Sequence, residues 1–576
     1  MLKLKGTQTV PQSSVIKRLG AVALLQWGVC SAAIAQELPA LQLPNDPAAT
    51  QQRQQQNRER LEQQKKLKER AELVDPIEGD ITIDSPTVPT NDSVRFELKA
   101  IKFTPSEWLT EHQLSEVAAQ FTGKSVGFSD VKALLDAVNQ LYRDKNILTA
   151  SAILPPQKIA DGILNIKLVE GRVGKIDVQG NASTSEKYVA DRVQLKQGEL
   201  VDLSSLEHDL VRLNRTSDIQ VRAQMAKGDS FGETDLILQA FEPPHHIIDV
   251  YGDNTGTDET GENRFGIGYT NNSVFGVRDR LNMNFTGASG SQSFMFYYDV
   301  PVTRSGGKIG ITYLDDELDI DNPSLGDVDV DSESTAKIIR FVQPVWINDL
   351  DLVNVTFDFE DRKSKTTIDG FLVQRSDVDT WPIGINWNRY TEQGAVFAGF
   401  KAIRGREQEF DARYFTRYTA YGSYVHQWNE KWSASLNVSG QFADDNNLPG
   451  GQAFQIGGAA TVRGYEEGLV SGDEGFLLNF ELQHSIPQPR LAASLNTPVT
   501  FTAFAFMDRG GAYRYRPEGP SHRKGDQLGS VGVGFNLSAS RVFQATFTLG
   551  FPVLENVHDQ DNGRAHFNIS YTPLIL

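Results

Sequence analysis

From about His245 to Leu576 the sequence alternates apolar residues with polar or glycine residues and never offers a long apolar run. Phe265-Ile267-Tyr269, Phe357-Phe359 and Phe567-Ile569-Tyr571 are the clearest stretches. A period of two belongs to β-strands whose faces meet different surroundings, here lipid on one side and a wet lumen on the other. In lipid every backbone polar group needs an internal partner, so strands can cross a membrane only as a closed barrel. Sixteen strands are expected, starting near Ile247, Arg264, Arg280, Gln292, Lys308, Ala336, Leu352, Thr380, Ala395, Phe415, Lys431, Gly475, Thr497, Leu528, Phe543 and Ala565. Their connections alternate in length. Thr391–Gly394 and Ser538–Val542 are short, whereas Leu318–Ser334, Arg362–Asp379 and Arg509–Gln527 read as long acidic or glycine-rich loops. Short turns at one rim and long loops at the other fit an outer-membrane barrel and not a soluble sandwich. A lumen of that width needs plugging.

The N-terminal region fits that destination. Lys3, Lys5, Lys17 and Arg18 precede an apolar run, Leu19 to Val29, and Ala33-Ile34-Ala35 is a small-x-small cleavage site. Residues 1–35 therefore read as a secretory signal. The single cysteine, Cys30, lies inside it, so the mature chain should hold no thiol or disulfide. Loss of four cationic and no acidic residues takes the formal charge from −18 to −22. Such a chain is unsuited to nucleic acid, which recruits clustered Lys and Arg.

Residues 36–92 are polar, and the tract Gln51–Glu72 has only Leu61, Leu67 and Ala71 as apolar members. A helix polar all round has no core to join. Residues 93–172 and 173–243 then repeat a β-α-α-β-β pattern. In the first copy Val94–Phe103 reads as a strand, and Val131, Leu134, Leu135, Val138, Leu141 and Tyr142 fall at helical spacing behind Ser129 as the expected N-cap. Strands Thr149–Leu154 and Gly162–Val169 follow. The second copy runs Val173–Val178, helices near Glu186–Val193 and Leu203–Leu213, then strands Ile219–Met225 and Glu233–Phe241.

Inside residues 244–576, the longest connection, 444–474, contains Gly457-Gly458 and then Val462-Arg463-Gly464-Tyr465. The thirteenth strand ends Phe506-Met507-Asp508-Arg509-Gly510. These two motifs resemble the VRG[YF] of loop 6 and the F-x-D-x-G of the barrel wall in transporters of the two-partner secretion pathway. Pro155-Pro156-Gln157 and Val169-Glu170-Gly171 resemble the signature of that family's first periplasmic POTRA domain. Asp253-Asn254-Thr255-Gly256 with Thr260-Gly261 resembles its first barrel hairpin, and Gln51–Glu72 its pore-plugging helix. The resemblance implies a transmembrane β-barrel behind two POTRA domains and an N-terminal plug helix, placed in the outer membrane with the POTRA domains in the periplasm. It implies a secreted exoprotein as partner, lipid around the barrel and the barrel-assembly machinery during biogenesis. The residues themselves offer no convergent acid/base set and no metal-ligand spacing, so no enzyme activity, cofactor or metal is expected.

Independent physics gives the motif pair its meaning. An arginine folded into a confined lumen loses hydration unless a carboxylate meets it, and its planar fork grips a carboxylate in one direction. Arg463 is therefore expected to bond Asp508, with Gly457, Gly458 and Gly464 permitting tight turns and close approach. Phe504, Phe506 and Asp508 share one face of their strand, which alternation alone does not identify.

Three positions depart from the family pattern. The sequence ends Thr572-Pro573-Leu574-Ile575-Leu576 instead of on an aromatic residue, Lys145-Asn146 stands where glycine is common, and Asn214-Arg215-Thr216-Ser217 replaces N-x-x-P-G. Asn tolerates positive φ, so the first POTRA turn is expected to survive. Two other signals read as structural. Gly228-Asp229-Ser230-Phe231 resembles a lipase nucleophile block but sits where a turn is expected. Asp327-Val328-Asp329-Val330-Asp331 resembles a calcium loop, but Ser332 and Ile338 replace its glycine and bidentate glutamate. The nine histidines form no zinc spacing. The expected function is export of a large unfolded partner protein. The rival is an outer-membrane assembly factor; two POTRA domains and the N-terminal tract favour export.

Overall fold

A computed structural model of the chain describes residues 48, 50–52, 55, 77–78, 95–159, 161–319, 329–408, 412–444, 447–495, 497–515, 523–540, 542–554 and 562–575. The signal segment and most of the Gln51–Glu72 tract lie outside these. A two-residue strand, β1 (Ile77–Glu78), precedes the first α+β unit.

That unit contains β2 (Phe96–Leu98), β3 (Ala100–Phe103), α1 (Glu111–Ala119), β4 (Lys124–Val126), α2 (Phe128–Asp144), β5 (Ala150–Ile153) and β6 (Ile163–Glu170). The second contains β7 (Arg172–Gln179), α3 (Glu186–Ala190), α4 (Leu203–Thr216), β8 (Gln220–Lys227) and β9 (Glu233–Phe241). Two details differ from expectation. The first strand breaks at Lys99, whose backbone N–H turns to Gly162 O, so Val94–Phe103 is two strands in two sheets. The N-cap of the long helix is Gly127, not Ser129, because the Asp130 carboxylate reaches back to accept the Gly127 N–H at 2.8 Å. Asn146 does take φ 59°, closing the turn after α2. At the glycine-less exit of α4, the buried Asn214 side chain substitutes: its amide both donates to Val221 O and accepts from Val221 N.

Each unit has its own dry core. Leu134, Val138, Tyr142, Leu164 and Ile166 anchor the first, and Leu206, Leu210, Val221, Ala223, Leu236 and Leu238 the second. The second sheet has the order β1-β8-β9-β7, so the short strand from the linker forms its edge, parallel to β8 with Ile77 opposite Ala223.

Sixteen antiparallel strands then close into a barrel. They are β10 (His246–Asp253), β11 (Arg264–Asn271), β12 (Arg280–Ala288), β13 (Ser291–Pro301), β14 (Lys308–Asp319), β15 (Val330–Ile347), β16 (Asp351–Ile368), β17 (Phe371–Thr391), β18 (Gly394–Glu407), β19 (Arg413–Gln427) and β20 (Trp432–Ala443). After a long connection holding the ribbon β21 (Phe454–Ile456) and β22 (Val470–Gly472) come β23 (Glu474–Pro487), β24 (Val499–Tyr515), β25 (Arg523–Ala539), β26 (Phe543–Pro552) and β27 (Arg564–Ile575). A short helix, α5 (Pro489–Leu495), sits between β23 and β24. Closure comes from β10 pairing with β27, Ile247 opposite Ile575 through Asp253 opposite Asn568.

Alternation resolves as expected, with Phe265, Ile267, Phe357, Phe359, Ile569 and Tyr571 on the outer surface. Several inward aromatics lie flat over a glycine of the neighbouring strand: a Cβ on Gly266 would strike Tyr251, and one on Gly399 would strike Tyr421. The glycines of the polar set are thus spaces for rings.

The expected long loops need correction. Residues 362–379 are not a loop but the paired ends of β16 and β17, joined by a two-residue turn with Asp369 at φ 49° and Gly370 at φ 76°. β15 and β25 likewise begin earlier than their apolar pattern. β17, with 21 residues, would span roughly 70 Å, whereas about 10 residues cross a bilayer. Its excess stands above the lipid, where the outward face carries charges such as Lys363 bonded to Asp377 at 3.3 Å and Lys365 to Glu333 at 3.0 Å. Water, not lipid, bathes the outward face there, while the inward face, with Ser364, Thr366 and Ser376, is buried and mostly polar, so apolar alternation stops while backbone pairing continues. Asp331 belongs to β15 and groups with Asp319 and Asp329, all exposed. Gly228-Asp229-Ser230-Phe231 forms the turn between β8 and β9, where Gly228 N–H donates to Glu233 O.

Candidate functional site

The connection between β20 and β23 folds back onto the barrel wall. Gly457, Gly458 and Gly464 adopt φ of 111°, 101° and 92°, conformations that side chains resist. A Cβ on Gly464 would lie 2.7 Å from the Gly550 backbone carbon in β26, so the loop touches the wall backbone to backbone. The turn before it is tied by Thr461 Oγ1, which accepts from Gly457 N and donates to Gly457 O, and by the Glu467 carboxylate on Ala459 N–H.

This places Arg463 against Asp508. Nε and Nη2 donate to the two carboxylate oxygens at 2.8 and 2.9 Å, and the Arg463 backbone N–H adds a third bond at 3.0 Å. Asp508 is fully buried on the lumen side, as are Phe504 and Phe506, while Met507 between them faces outward. The inward face is therefore the one that carries the motif. Its other members have separate tasks. The Phe506 ring lies 3.5 Å under the Arg463 guanidinium, a stacked cation–π contact. Gly510 leaves space for the loop's apolar side chains, since a Cβ there would come within 3.2 Å of both Ile456 and Val462. Val462 is fully buried in a cluster with Ile456, Tyr465, Leu477 and Leu528. The Tyr465 hydroxyl donates to Gly529 O at 2.9 Å.

Sequence reading missed three contributors. Glu481 accepts from Arg463 Nη1 at 2.7 Å. Asn479 donates to both Asp508 Oδ1 and Thr461 O. His566 accepts the Gly464 N–H at 3.3 Å. Residues 479 and 481 stand opposite Asp508 and Phe506 in the ladder, so pairing β23 with β24 in register would have exposed both. A second ion pair holds the same loop: Arg564, at the start of β27, meets Glu466 at 3.3 Å and also Glu262 of the β10–β11 connection. The Asp253-Asn254-Thr255-Gly256 segment is held by Arg264, whose Nε and Nη2 reach the Asp253 carboxylate at 2.8 and 3.1 Å.

Of the N-terminal tract Gln51–Glu72, the described residues Gln51, Gln52 and Gln55 are helical, as are Ala48 and Thr50 just before it. Gln51 is buried against the inner wall, donating to Ser334 O at 3.1 Å and accepting from Arg362.

Comparison with known proteins agrees with this architecture. Residues 232–537 match the family described as haemolysin secretion/activation protein ShlB/FhaC/HecB, and residues 96–171 match the ShlB-type POTRA domain. The heme/hemopexin transporter protein HuxB of Haemophilus influenzae is 24% identical over 83% of this chain and 88% of its own. The outer membrane transporter CdiB of Dickeya dadantii is 22% identical over 91% and 94%. The solved structure of CdiB from Escherichia coli superposes with a TM-score of 0.65 at 19% identity, covering 92% of this chain and 99% of that one. The chain belongs to the ShlB/FhaC/HecB family of haemolysin secretion/activation proteins, outer-membrane β-barrel transporters of two-partner secretion with POTRA domains in the periplasm.

Proposed function

We propose that this transporter exports one large, unfolded exoprotein through the barrel lumen, with the loop of residues 444–473 fixed to the wall by Arg463 and Asp508. The observation carrying the reading is that buried pair, in a closed barrel directly behind a domain whose sheet edge already pairs with an extended segment of the chain. A fork-to-carboxylate bond with both partners out of water holds a loop in one place, which keeps the passage in one shape. Charge exchange tests it. Arg463→Asp and Asp508→Arg should each abolish secretion, and the double exchange should recover part of it; two dead single variants with a dead double would argue against direct pairing.

Recognition of the partner would use backbone pairing on a POTRA edge, where main-chain bonds give affinity and side-chain pockets give specificity. That β1 already lies along β8 supports this, because the edge accepts an extended segment and must release the chain's own linker before it takes another. The tract Gln51–Glu72 would plug the lumen at rest; Gln51 against Ser334 and Arg362 fits such a position. A crosslink tying the tract to the inner wall should stop secretion, and full secretion by the crosslinked form would refute plug displacement. Lipid contacts on the outer apolar surface and assembly by the barrel-insertion machinery complete the reading. Directionality would come from folding outside, which withdraws unfolded chain from the pore. Co-expression with a candidate exoprotein, with and without residues 94–242, should release it to the medium only from the intact chain.

A further inference from the structure

The periplasmic connection between β11 and β12 carries a residue in an unfavourable conformation. Arg278 has φ 57°, in the left-handed region that glycine occupies freely and residues with a Cβ adopt rarely. Strain of this kind persists where the surroundings hold it, and here the side chain shows what does. The guanidinium is 1% exposed and reaches into the second POTRA domain. Nε donates to Asp218 Oδ1 at 2.8 Å and Nη2 to Asp218 Oδ2, making a two-bond grip on the second residue beyond α4. Nη1 donates to the hydroxyls of Ser183 and Thr184, just before α3, at 3.2 and 3.5 Å. The Glu242 carboxylate, just after β9, lies 4.0 Å away and itself accepts the Ser183 and Thr184 N–H groups. One side chain therefore touches three separate points of the domain. Around it, Ser185 N–H donates to Gly276 O and Ser273 Oγ to Ser183 O, both at 2.9 Å. The next periplasmic turn presses Gly306 against the Thr216 side chain.

We propose that Arg278 is a positioning residue for transport: it fixes the orientation of the second POTRA domain over the pore mouth, so that a chain paired on the domain's sheet is delivered into the lumen. The three contacts lie at the start of one helix, the end of another and the end of a strand. Three non-collinear points determine a rigid orientation, and a planar fork determines direction as well as distance. Without this grip the joint rests on the Ser185–Gly276 and Ser273–Ser183 bonds, the Gly306–Thr216 contact and the stacking of Arg215 on Tyr390, which leave the domain a wider range of orientations about the 242–245 linker. The proposal rests on the transport reading, and its first readout does not need a partner protein.

The test uses the full chain in the outer membrane, with Glu207→Cys and Glu430→Cys carrying spin labels on the POTRA domain and on a periplasmic turn of the barrel. The wild type should give a narrow distance distribution. Arg278→Gly relaxes the backbone while deleting the grip, so a defect it shares with Arg278→Ala comes from the guanidinium and not from the turn. Both should broaden the distribution and lower secretion by an order of magnitude at unchanged barrel folding. Arg278→Lys, which keeps the charge without the fork, should fall between. A disulfide between Ser185→Cys and Gly276→Cys, whose Cβ atoms would stand 3.8 Å apart, should restore both readouts in the Arg278→Gly background. A narrow distribution in Arg278→Gly, full secretion from a broadened one, or no secretion from a stapled and re-narrowed one would each overturn the proposal. A wild type that exports nothing while keeping its narrow distribution would fault the transport reading alone.

Discussion

Two arginines hold the two ends of this barrel, and they solve the same problem differently. Arg463 sits among glycines that take the positive φ values, so its own backbone is relaxed and its partner Asp508 is fully out of water. Arg278 takes the positive φ itself, and its partner Asp218 keeps 41% of its side chain exposed. The first pair is therefore closed on both sides, with Glu481, Asn479 and the Phe506 ring completing the shell. The second is closed on the arginine side alone. An ion pair buried on both sides responds to truncation as a stranded charge, whereas a half-wet one can recruit water. The difference fits the two proposed roles, a loop fixed at one end of the barrel and a domain joint that holds direction at the other.

Breaking the closed pair should give the largest effect. Asp508→Ala leaves the Arg463 guanidinium with the Glu481 carboxylate and the Phe506 ring, at a cost of about 3–5 kcal/mol in holding the loop. Protease added outside intact cells should then cut residues 444–473 that resist it in the wild type; equal resistance would mean that the pair does not hold the loop. Next in size is Gly464→Ala. A methyl group would meet the Gly550 backbone at a φ of 92°, so roughly 2 kcal/mol of overpacking and strain should loosen the same loop. If the alanine variant resists protease as well as the wild type, backbone contact with β26 is not what seats the motif.

The two clamps also differ in how far they could be read from sequence. Arg463 and Asp508 were legible because short motifs named them, and alternation put Phe504, Phe506 and Asp508 on one face. Which face it was, and the parts played by Glu481 and Asn479, depended on the register of β23 against β24, which no local pattern contains. Arg278 gave no signal at all: an arginine in a turn reads as a surface charge until Asp218, some sixty residues earlier, is seen beside it. In the fold, the sixteen strands followed from lipid on one face, and the same rule failed above the membrane. There β16 and β17 continue with Lys363, Lys365 and Asp377 outward, and only the Asp369-Gly370 turn marks the hairpin. Helix α2 was legible from its apolar stripe, but its start was misplaced because Asp130, and not the serine before it, makes the cap.

The half-wet pair should yield less. Asp218→Asn keeps the shape and removes one charge, and with water at hand the loss should be about 1 kcal/mol. Hydrogen exchange of the Ser185 amide, which donates to Gly276 O across the joint, would report it as a several-fold rise; a change as large as that for Asp508→Ala in its own loop would erase the distinction between the clamps.

Acid should produce the smallest effect, and its sign follows from Glu242. Burial works against this carboxylate, but the side-chain and backbone hydrogen bonds from Ser183 and Thr184 outweigh it and hold its pKa below the ordinary 4.5. A carboxylate whose folded pKa is depressed adds stability that is complete above its unfolded pKa and disappears as pH falls through the folded one. The joint should therefore be indifferent to pH across the neutral range and loosen only below 4.5, when a protonated Glu242 no longer accepts both amides beside Arg278 and Asp218. Exchange of the Ser183 and Thr184 amides should accelerate in that window, beyond the change in intrinsic chemistry, and Glu242→Gln should remove the step. A step of equal size in the glutamine variant would assign the acid sensitivity to another group and leave Arg278 holding the domain without help from the end of β9.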